Sequence, residues 1–259
     1  YKCLVQYYYE KNSVCNRAKG VDLEMNSFFV WAGETSFSKG LTVERCPSFE
    51  AGQRIVEKTA IPGKSGDLVF DTGAFSNYIQ SYEIWFRDKS AGMISAAKNI
   101  AVWLLSPLGY HRLEDTYDPD VFRMAVYTGP IEIENWMLTY GRATLDFDCM
   151  PQRWLKSGQE PTSVQSGDMI LNQWQTAKPL LIVSGNGTIE INNAIISVSG
   201  TSGKYFIDCE TENSYQNGIS LNGNLTVENN LFPSFPHGET QISFTGIDSL
   251  QIIPRWWSN

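Results

Sequence analysis

The sequence predicts a mainly β protein, in which an antiparallel β domain with one α-helix precedes an antiparallel β-sandwich. Aromatic residues are abundant, with 8 Trp, 12 Tyr and 13 Phe among 259 residues, and aromatic side chains favour strands. Apolar and polar residues alternate over many short segments, which is the period of a half-buried strand. Only 19% of the residues are charged and 42% are hydrophobic, so the chain can bury a core and is not of the disordered or coiled-coil class.

The predicted strands of the first half begin at Asn26. The segments "NSFFVWAG", "QRIVEKTA" and "DLVF" are short, apolar and bounded by turn residues. In "NYIQSYEIWFR", one face of a half-buried strand holds Tyr78, Tyr82, Ile84 and Phe86. Strands are also predicted in "VFRMAVYTG", "IEIENWMLT" and "RATLDFDCM", and the turn "TYGR" joins the last two in a hairpin. In the last of these strands, one face holds Ala143, Leu145, Phe147 and Cys149.

One helix is predicted, in the segment "AGMISAAKNIAVWLLSP". Its apolar residues recur at steps of three and four, namely Ile94, Ala97, Ala101 and Leu104. Pro107 and Gly109 follow, and both residue types end helices. This spacing predicts that the four residues form the stripe by which the helix packs on the sheet.

A domain boundary is predicted at "MPQRWLKSGQEP", where two prolines, two basic residues and a glycine interrupt the strand pattern. The first domain is then 23–150. The second is 151–248, where short strands separated by Asn- and Gly-rich turns predict an antiparallel sandwich. The segment 249–257 ends in "IPRWW" and is expected to return and pack on the first domain. Residues 1–22 could be a strand, a tail or a cloning remnant.

The charge pattern argues against nucleic acid as a specific partner. The formal net charge is -8, and the Lys and Arg residues are scattered along the chain, whereas nucleic-acid binding uses a clustered basic face. No apolar run is long enough to span a bilayer and no signal-peptide pattern opens the chain, so membrane insertion is not expected. Asn186-Gly187-Thr188 and Asn224-Leu225-Thr226 match the glycosylation pattern, but we interpret both as turns.

The five cysteines are widely spaced and odd in number, and none forms a CxxC pair. They are Cys3, Cys15, Cys46, Cys149 and Cys209. A disulfide framework or a zinc site is therefore not predicted. Reduced thiols that are partly buried as small apolar groups fit the pattern better, and they indicate folding in a reducing cytoplasm.

The residues Gly63, Lys64 and Ser65 match the end of a phosphate-binding loop. That loop also needs a glycine at the position of Lys58, and a helix must follow so that its N-terminus faces the anion. Here "DLVFDTG" follows, which has the pattern of a strand. We therefore predict a tight turn at Pro62 and Gly63, and no phosphate site.

Clustered carboxylates in "LEDTYDPDVF" could bind calcium or act as an acid/base pair. They are Glu114, Asp115, Asp118 and Asp120. Their spacing does not fit an EF-hand loop, and Asp118-Pro119 is typical of a turn in which Asp side chains cap backbone amides. We interpret the segment as a solvated turn. A glycosidase that uses two of the four carboxylates remains a weaker hypothesis.

No catalytic motif is evident. The histidines His111 and His237 lie in no recognised motif, and no nucleophile elbow occurs, so we predict no catalytic, metal-binding or cofactor-binding residue and no cofactor. His237 is expected in a loop. Trp174, Trp256 and Trp257 could stack on sugar rings, although packing in a core or an interface is the alternative explanation for such aromatics.

Several short motifs occur in a characteristic order. They are the turn Pro62–Leu68, the pairs Trp103-Leu104 and Gly109-Tyr110, Leu113–Asp115 followed by Pro119-Asp120, the strand Ala125–Tyr127, a hinge formed by Phe147, Cys149 and Pro151–Trp154, and the end Ile253–Trp257. Together they resemble the distal tail proteins, or Dit, of phages with long non-contractile tails. The resemblance covers roughly residues 23–257.

The resemblance implies a structural hub that has no enzymatic activity. Dit proteins form a homo-hexameric ring that joins the tail tube protein on one face to the tail-tip fibre or tail-associated lysin on the other. The first domain would build the ring around a channel for DNA, and the second would be a galectin-like sandwich that projects outward and can carry receptor-binding proteins. The chain would be part of the virion and would assemble in the bacterial cytoplasm.

Two further expectations accompany the hub. Because a negative surface repels phosphates and does not trap them through counterion release, we hypothesise that acidic residues line the channel. The alternative function is a carbohydrate-binding module of a host-recognition device, in which Trp or Tyr side chains stack on cell-wall sugars. The receptor and any ligand-binding residues are left open.

Overall fold

The computed structural model describes residues 27–87, 93–131, 134–137 and 140–259. Residues 1–22, with Cys3 and Cys15, lie outside the described residues. The described chain divides into two compact units, of which the first runs to Arg153 and also includes Asn259, and the second is Trp154–Ser258.

The first unit contains a mainly antiparallel sheet, a helix and a separate two-stranded ribbon. Its strands are β1 (Phe29–Trp31), β2 (Glu34–Thr35), β3 (Leu41–Val43), β4 (Arg54–Ala60), β5 (Asp67–Phe75), β6 (Tyr78–Arg87), β7 (His111–Asp115), β8 (Val121–Val126), β9 (Glu134–Met137) and β10 (Tyr140–Leu155), and its helices are α1 (Met93–Leu105) and the 3-10 helix Ser36–Lys39. The sheet order is β2-β1-β7-β8-β10-β6-β3. Strand β9 pairs with β10, which confirms the predicted hairpin, but Tyr140–Arg142 of the predicted turn lie within β10. Strands β4 and β5 pair with each other in the ribbon.

An aromatic cluster forms the core of the first unit. The predicted apolar faces of β6 and β10 are confirmed, because Tyr82 and Phe147 are both fully buried. The ring of Phe29 stacks on Tyr82 with the centroids 4.9 Å apart, and it meets Phe147 edge-on at 5.5 Å. Such aromatic pairs add to the stabilisation from area burial alone.

The face by which the helix packs only partly matches the predicted stripe, because Leu104 is buried but Ile94 is not. Ile100, Trp103 and Leu104 enter the core, whereas Ile94 is 71% exposed. The ring of Trp103 stacks on Phe29, with the centroids 5.9 Å apart. Ile94 lies nine residues before Trp103, about two and a half helical turns, and therefore points to the opposite side. Within the described ranges, no helix combines the length and apolarity needed to span a membrane.

The expected interruption of the strand pattern at Pro151 does not occur. Strand β10 continues to Leu155, and Pro151 and Arg153 keep the inward positions of its alternation. Arg153 can be buried there because its guanidinium donates to the carbonyl of Glu50 and lies 4.0 Å from the ring centroid of Phe49.

The second unit is built from short strands around two long ones. Its strands are β11 (Thr162–Val164), β12 (Met169–Asn172), β13 (Leu180–Ile191), β14 (Ala194–Val198), β15 (Lys204–Asp208), β16 (Asn213–Gln216), β17 (Ile219–Ser220), β18 (Leu225–Val227), β19 (Gly238–Ile253) and β20 (Trp257–Ser258), with 3-10 helices at Lys156–Gln159, Asn222–Asn224 and Glu228–Asn230. One strand path is β11-β19-β13-β15-β16-β17, while β12 pairs with β19, and β14 with β13 and β18.

The long strands β13 and β19 serve both halves of the sandwich. The first part of β13 pairs with β15 and its last part with β14, while β19 follows β13 with register shifts around Gly185. Gly185 and Gly246 have φ of +99° and +78°, and a Cβ on Gly187 would lie 2.0 Å from the carbonyl oxygen of Thr245. These glycines permit the bulge at which the strands bend. The predicted fold class is confirmed, including the antiparallel sandwich.

Candidate functional site

The ribbon of the first unit carries the Gly63-Lys64-Ser65 motif at its tip. The backbone N–H of Lys64 donates to the carbonyl of Ile61 at 3.1 Å, and Gly63 has φ of +78°. The whole tip is exposed, and strand β5 follows it directly. The predicted tight turn is confirmed. The motif therefore joins two strands of an exposed ribbon.

One face of this ribbon is rich in exposed apolar side chains. The register places Glu57 opposite Phe70 and Thr59 opposite Leu68, and Ile55 shares their face because side chains alternate along a strand. Ile55, Leu68 and Phe70 are all exposed. We call these five residues the ribbon face. The other face mixes charged residues with valines.

The outer face of β6 and β10 is acidic. Asp146 accepts a hydrogen bond from the hydroxyl of Ser81 at 2.6 Å, and Asp148 accepts one from the amide of Asn77 at 2.8 Å. An open groove of about 460 Å³ runs along this face, and its lining includes Glu44, Glu83, Arg142, Thr144 and Asp146. Arg142 pairs with Glu44 at 2.6 Å. The lining holds three carboxylates and this one arginine, so carboxylates outnumber arginines in the groove.

The acidic segment after β7 does not form the solvated turn that the sequence predicts. Asp115 is only 1% exposed. Its carboxylate accepts hydrogen bonds from the hydroxyl of Tyr82 at 2.7 Å and from Arg123 at 3.0 Å. It also accepts the backbone N–H groups of Tyr117 and Asp118, so the carboxylate that caps the turn amides is that of Asp115, whereas the prediction placed the cap at Asp118-Pro119. The turn is built on a buried ion pair.

The other three acidic residues lie in different surroundings. Asp118 is half-buried, and burial raises the pKa of its carboxyl although Arg123, 3.7 Å away, opposes that effect. Glu114 pairs with Arg112 at 2.6 Å, and Asp120 is exposed. Among the described residues, no group of three or more His, Cys, Asp or Glu side chains is arranged to hold a metal ion.

Sequence reasoning missed Arg123, which neutralises the buried carboxylate. Burial would lower the pKa of this guanidinium, but Asp115, together with Tyr82, Tyr78 and Asp118, raises it. The available signal was the position of Arg123 in the apolar segment "VFRMAV", where it shares the inward side with Val121 and Ala125. A single basic residue at an inward position of a strand needs a buried acidic partner, because an unpaired buried charge is energetically costly.

The two histidines differ in their surroundings. The Nε2 atom of His111 lies 3.1 Å from the carbonyl oxygen of Leu108, and its ring meets Trp31 edge-on at 5.8 Å. His237 is exposed in the loop before β19, as predicted.

The described cysteines are free thiols. Cys149 and Cys209 are buried and Cys46 is exposed. Burial raises the pKa of Cys149 to about 12 and also raises that of Cys209. Both are therefore held as neutral thiols, and the interpretation as small apolar groups is confirmed for these two.

The three candidate tryptophans of the second unit differ in exposure. Trp256 packs on Phe235 with the ring centroids 5.6 Å apart, and the indole N–H of Trp257 donates to the carbonyl of Thr176 at 2.9 Å. Trp174 is 42% exposed in the loop after β12. Trp256 and Trp257 are thus packing residues, and Trp174 is the tryptophan of the three with an exposed ring.

An ion pair anchors the C-terminal segment within the second unit. Arg255, at φ of +57°, binds both carboxylate oxygens of Asp208 at 2.7 and 2.9 Å. Burial would raise the pKa of Asp208, but the hydrogen bonds from Arg255 and from backbone N–H groups lower it. The backbone N–H of Arg255 donates to the carbonyl of Gly158 at 2.7 Å. That the segment 249–257 also packs on the first unit stays a prediction.

The side chains of the two asparagines in the glycosylation-like motifs form hydrogen bonds with the backbone of neighbouring segments. Asn186 lies inside β13, so the predicted turn there is wrong; its side chain bonds the backbone N–H and carbonyl of Thr201, both at 2.9 Å. Asn224 ends a 3-10 helix and donates to the carbonyl of Ser199 at 2.9 Å. The turn predicted at Asn224 is confirmed.

Comparison with solved structures finds the crystal structure of the Dit protein of phage SPP1, described as a paradigm of the hub adsorption apparatus in phages that infect Gram-positive bacteria. The TM-score is 0.71 at 12% sequence identity, and the match covers 87% of this chain and 97% of that chain. The chain has the Dit fold. No protein-family profile matches the sequence, and no curated protein matches it. The resemblance drawn from the motifs is confirmed at the level of the fold.

The Dit-like motifs lie at positions that shape this fold. Trp103 and Leu104 enter the core at the end of α1, and Gly109 has φ of +81° in the connection to β7. Asp115 and Arg153 are buried polar residues of the first unit. The order of the motifs therefore reflects packing and turn requirements of the Dit fold.

Proposed function

We propose that the chain is a structural subunit of a bacteriophage tail tip, where it acts as a hub of the adsorption apparatus. The supporting observation is the Dit fold, because the match extends over 97% of a chain that is described as such a hub. A shared fold does not by itself assign a function. The exposed apolar ribbon face supplies an independent reason to expect assembly, because contiguous exposed apolar surface marks interaction sites.

The proposed assembly is a closed homo-hexameric ring. Ring closure requires heterologous contacts, in which two different surfaces of the same chain meet. The domain 23–150 would build the ring, and the domain 151–248 would project outward as a platform for receptor-binding proteins. The tail tube protein would dock on one face, and the tail-tip fibre or tail-associated lysin on the other.

In this assembly the acidic outer face of β6 and β10 would line the DNA channel. Its carboxylates, including Asp146 and Asp148, are exposed or half-buried and would repel the phosphates of passing DNA. Electron cryomicroscopy of the assembled ring tests the assignment. A lumen lined with Lys and Arg would contradict it.

The oligomeric state is the first experiment for the hub. Analytical ultracentrifugation of the purified chain up to millimolar concentration, followed by electron microscopy, should reveal closed hexameric rings. Mixing with the tail tube protein should stack tube on one ring face. A chain that stays monomeric under all these conditions would contradict the proposal. The virion location follows if antibodies label the tail tip.

The alternative is a carbohydrate-binding module in the same adsorption apparatus. The exposed ring of Trp174 is the observation in its favour, since such rings stack on sugars. A glycan array with the wild-type chain and with Trp174→Ala tests it. Binding that disappears in the variant supports the module, and no binding by the wild type contradicts it.

We also propose that the hub has no enzymatic activity. The weaker glycosidase hypothesis needs two free carboxylates, but Asp115 is already paired with Arg123. An assay on cell-wall polysaccharide decides the point. Hydrolysis that is lost on Asp118→Asn or Asp120→Asn would reinstate the glycosidase.

A further inference from the structure

We infer that Asn217-Gly218, in the second unit, is a site of spontaneous deamidation at which the folded chain converts Asn217 to aspartate and isoaspartate. Asn-Gly pairs favour this reaction because glycine has no Cβ to shield its backbone nitrogen. The sequence contains three such pairs, Asn186-Gly187, Asn217-Gly218 and Asn222-Gly223. All three share the same local chemistry, so the fold decides which one reacts.

The reaction requires the side-chain amide of the asparagine to meet the next backbone nitrogen. The nitrogen of Gly218 attacks Cγ of Asn217 and forms a new C–N bond. The bond from Cγ to the amide nitrogen breaks, and ammonia leaves with the proton of the Gly218 N–H. Water then opens the cyclic succinimide at either of its carbonyl carbons, which gives aspartate or isoaspartate. Water is the only co-reactant, and the product carries one additional negative charge at neutral pH.

Asn217 and Gly218 form the exposed tip of the hairpin between β16 and β17. Gln216 pairs with Ile219 across this tip, and the φ angles of +50° and +79° fit a type I′ turn. Within the described ranges, no hydrogen bond or ion pair holds the side chain of Asn217. Strand β17 is only two residues long and both are exposed, so the tip can open without losing buried surface. The amide of Asn217 is therefore free to turn toward the Gly218 nitrogen.

The amide of Asn186, in contrast, is held by Thr201. Its Oδ1 accepts the backbone N–H and the hydroxyl of Thr201, and its Nδ2 donates to the carbonyl of Thr201, all at 2.9 Å. Gly187 is also enclosed, because a Cβ there would lie 2.0 Å from the carbonyl oxygen of Thr245. All three hydrogen bonds would have to break before this amide could reach the Gly187 nitrogen.

The amide of Asn222 is held as well, although Gly223 is open. Its Oδ1 accepts the backbone N–H of Ser214 at 2.6 Å and the hydroxyl at 3.1 Å, and its Nδ2 donates to Oδ1 of Asn213 at 2.9 Å. Ser214 is buried, so these bonds attach Asn222 to the interior. No atom lies within 4 Å of a Cβ added to Gly223. The hydrogen bonds of the amide, and not the space around the glycine, therefore distinguish Asn222 from Asn217.

Peptide mapping of the purified full-length chain tests the inference. The folded chain is incubated at mildly alkaline pH, digested, and sequenced by fragment-ion mass spectrometry, in which each deamidation raises the peptide mass by about 1 Da. Asn217 should react about tenfold or more faster than Asn186 and Asn222, because reaction at a restrained site requires local opening. The same incubation in concentrated urea should bring the three rates close together, because the hydrogen bonds that restrain two of the amides are then lost.

Two variants confirm the route. Gly218→Ala should slow the reaction at Asn217 in the folded and in the unfolded chain, because the added methyl group hinders the backbone nitrogen. Gly223→Ala is the matched control and should leave the rate at Asn217 unchanged. Equal rates at the three asparagines of the folded wild type, or a faster reaction at Asn186 or Asn222, would overturn the inference. A preference for Asn217 that persists unchanged in urea would overturn selection by the fold.

Discussion

Asp115 in the first unit and Asp208 in the second make the same local contacts in different surroundings. Each ends a strand. Each accepts the backbone N–H groups two and three residues further along the chain. Each pairs with an arginine, Arg123 or Arg255. The same turn chemistry, which is typical of Asp, is thus used twice.

The two pairs differ in burial and in sequence separation. Asp115 and Arg123 are eight residues apart and almost fully buried, and the hydroxyl of Tyr82 donates a further hydrogen bond to Asp115. Asp208 and Arg255 are 47 residues apart and keep contact with solvent. Turn chemistry is therefore local, whereas the energetic importance of a pair depends on the tertiary surroundings.

Asp71 on the ribbon adds an exposed ion pair to the comparison. It pairs with Arg54 and accepts the backbone N–H of Gly73 at 2.9 Å. That backbone hydrogen bond and Arg54 lower the pKa of Asp71. The three pairs form a series from buried to exposed, and the following changes test whether stability follows that series.

The largest effect is expected for Asp115→Asn. The variant keeps the shape of the side chain but removes the close partner of the buried Arg123, which keeps only Asp118 at 3.7 Å; breaking a buried ion pair typically costs about 3–5 kcal/mol. Native-state hydrogen exchange of the amides in β6 and β7 measures the loss within the first unit. Asp146→Asn, on the exposed face of the same sheet, is the control. A loss no larger than that of the control would contradict the importance of the buried pair.

An intermediate effect is expected for Asp208→Asn, at about 1.5–3 kcal/mol, the usual value for hydrogen bonds to a charged group. Because the folded-state pKa lies below the ordinary value of 3.8, the pair stabilises fully above pH 3.8 and loses this contribution as pH falls through the folded-state pKa. Urea unfolding at several pH values should show wild type and variant converging in acid. A constant difference down to low pH would argue against the ion pair.

A steric substitution in the second unit tests the packing of β13 against β19 without changing any charge. Gly187→Ala would place a Cβ 2.0 Å from the carbonyl oxygen of Thr245, so the strands must separate at a cost of about 1–3 kcal/mol. Gly223→Ala has open space around it and is the matched control. Urea unfolding of both variants should show a loss in the first only, and equal losses would refute the close approach of β13 and β19.

The smallest effect is expected for Asp71→Asn. Exposed ion pairs contribute little because solvent and salt screen them, so the thermal midpoint of the monomeric chain should not change measurably. Differential scanning calorimetry in dilute solution makes the comparison. A clear decrease in the thermal midpoint would mean that the exposed pair stabilises as much as a buried one. Stability would then not follow the burial of the three pairs.

Much of the first unit could be predicted because period-2 alternation is a local signal. It identified β6 and β10 and the inward position of Phe147. The helix was also predicted, and Leu104 of its predicted stripe is buried. The rest of the buried face was not predicted, because Ile94 and Trp103 are both apolar and spacing alone does not show which one meets the sheet. The contact between Trp103 and Phe29 decides that rotation, and it joins residues that are far apart in the sequence.

The candidate surfaces were predictable to a smaller degree. The turn at Gly63 followed from its residues, but the exposure of Phe70 did not, because an apolar residue in a strand is ordinarily expected to be buried. The solvated turn expected at Asp115 was wrong for the converse reason. An acidic residue is ordinarily exposed, and only the inward position of Arg123 shows that it can be buried.

The sequence by itself determined most of the strands and turns and the order of the Dit-like motifs, because backbone preferences and side-chain alternation act over a few neighbouring residues. Only the tertiary structure decided which apolar residues stay outside, which charges are buried and which arginine meets Asp208. These outcomes depend on contacts between distant segments, and the free energy of such contacts comes from burial, which no local pattern contains.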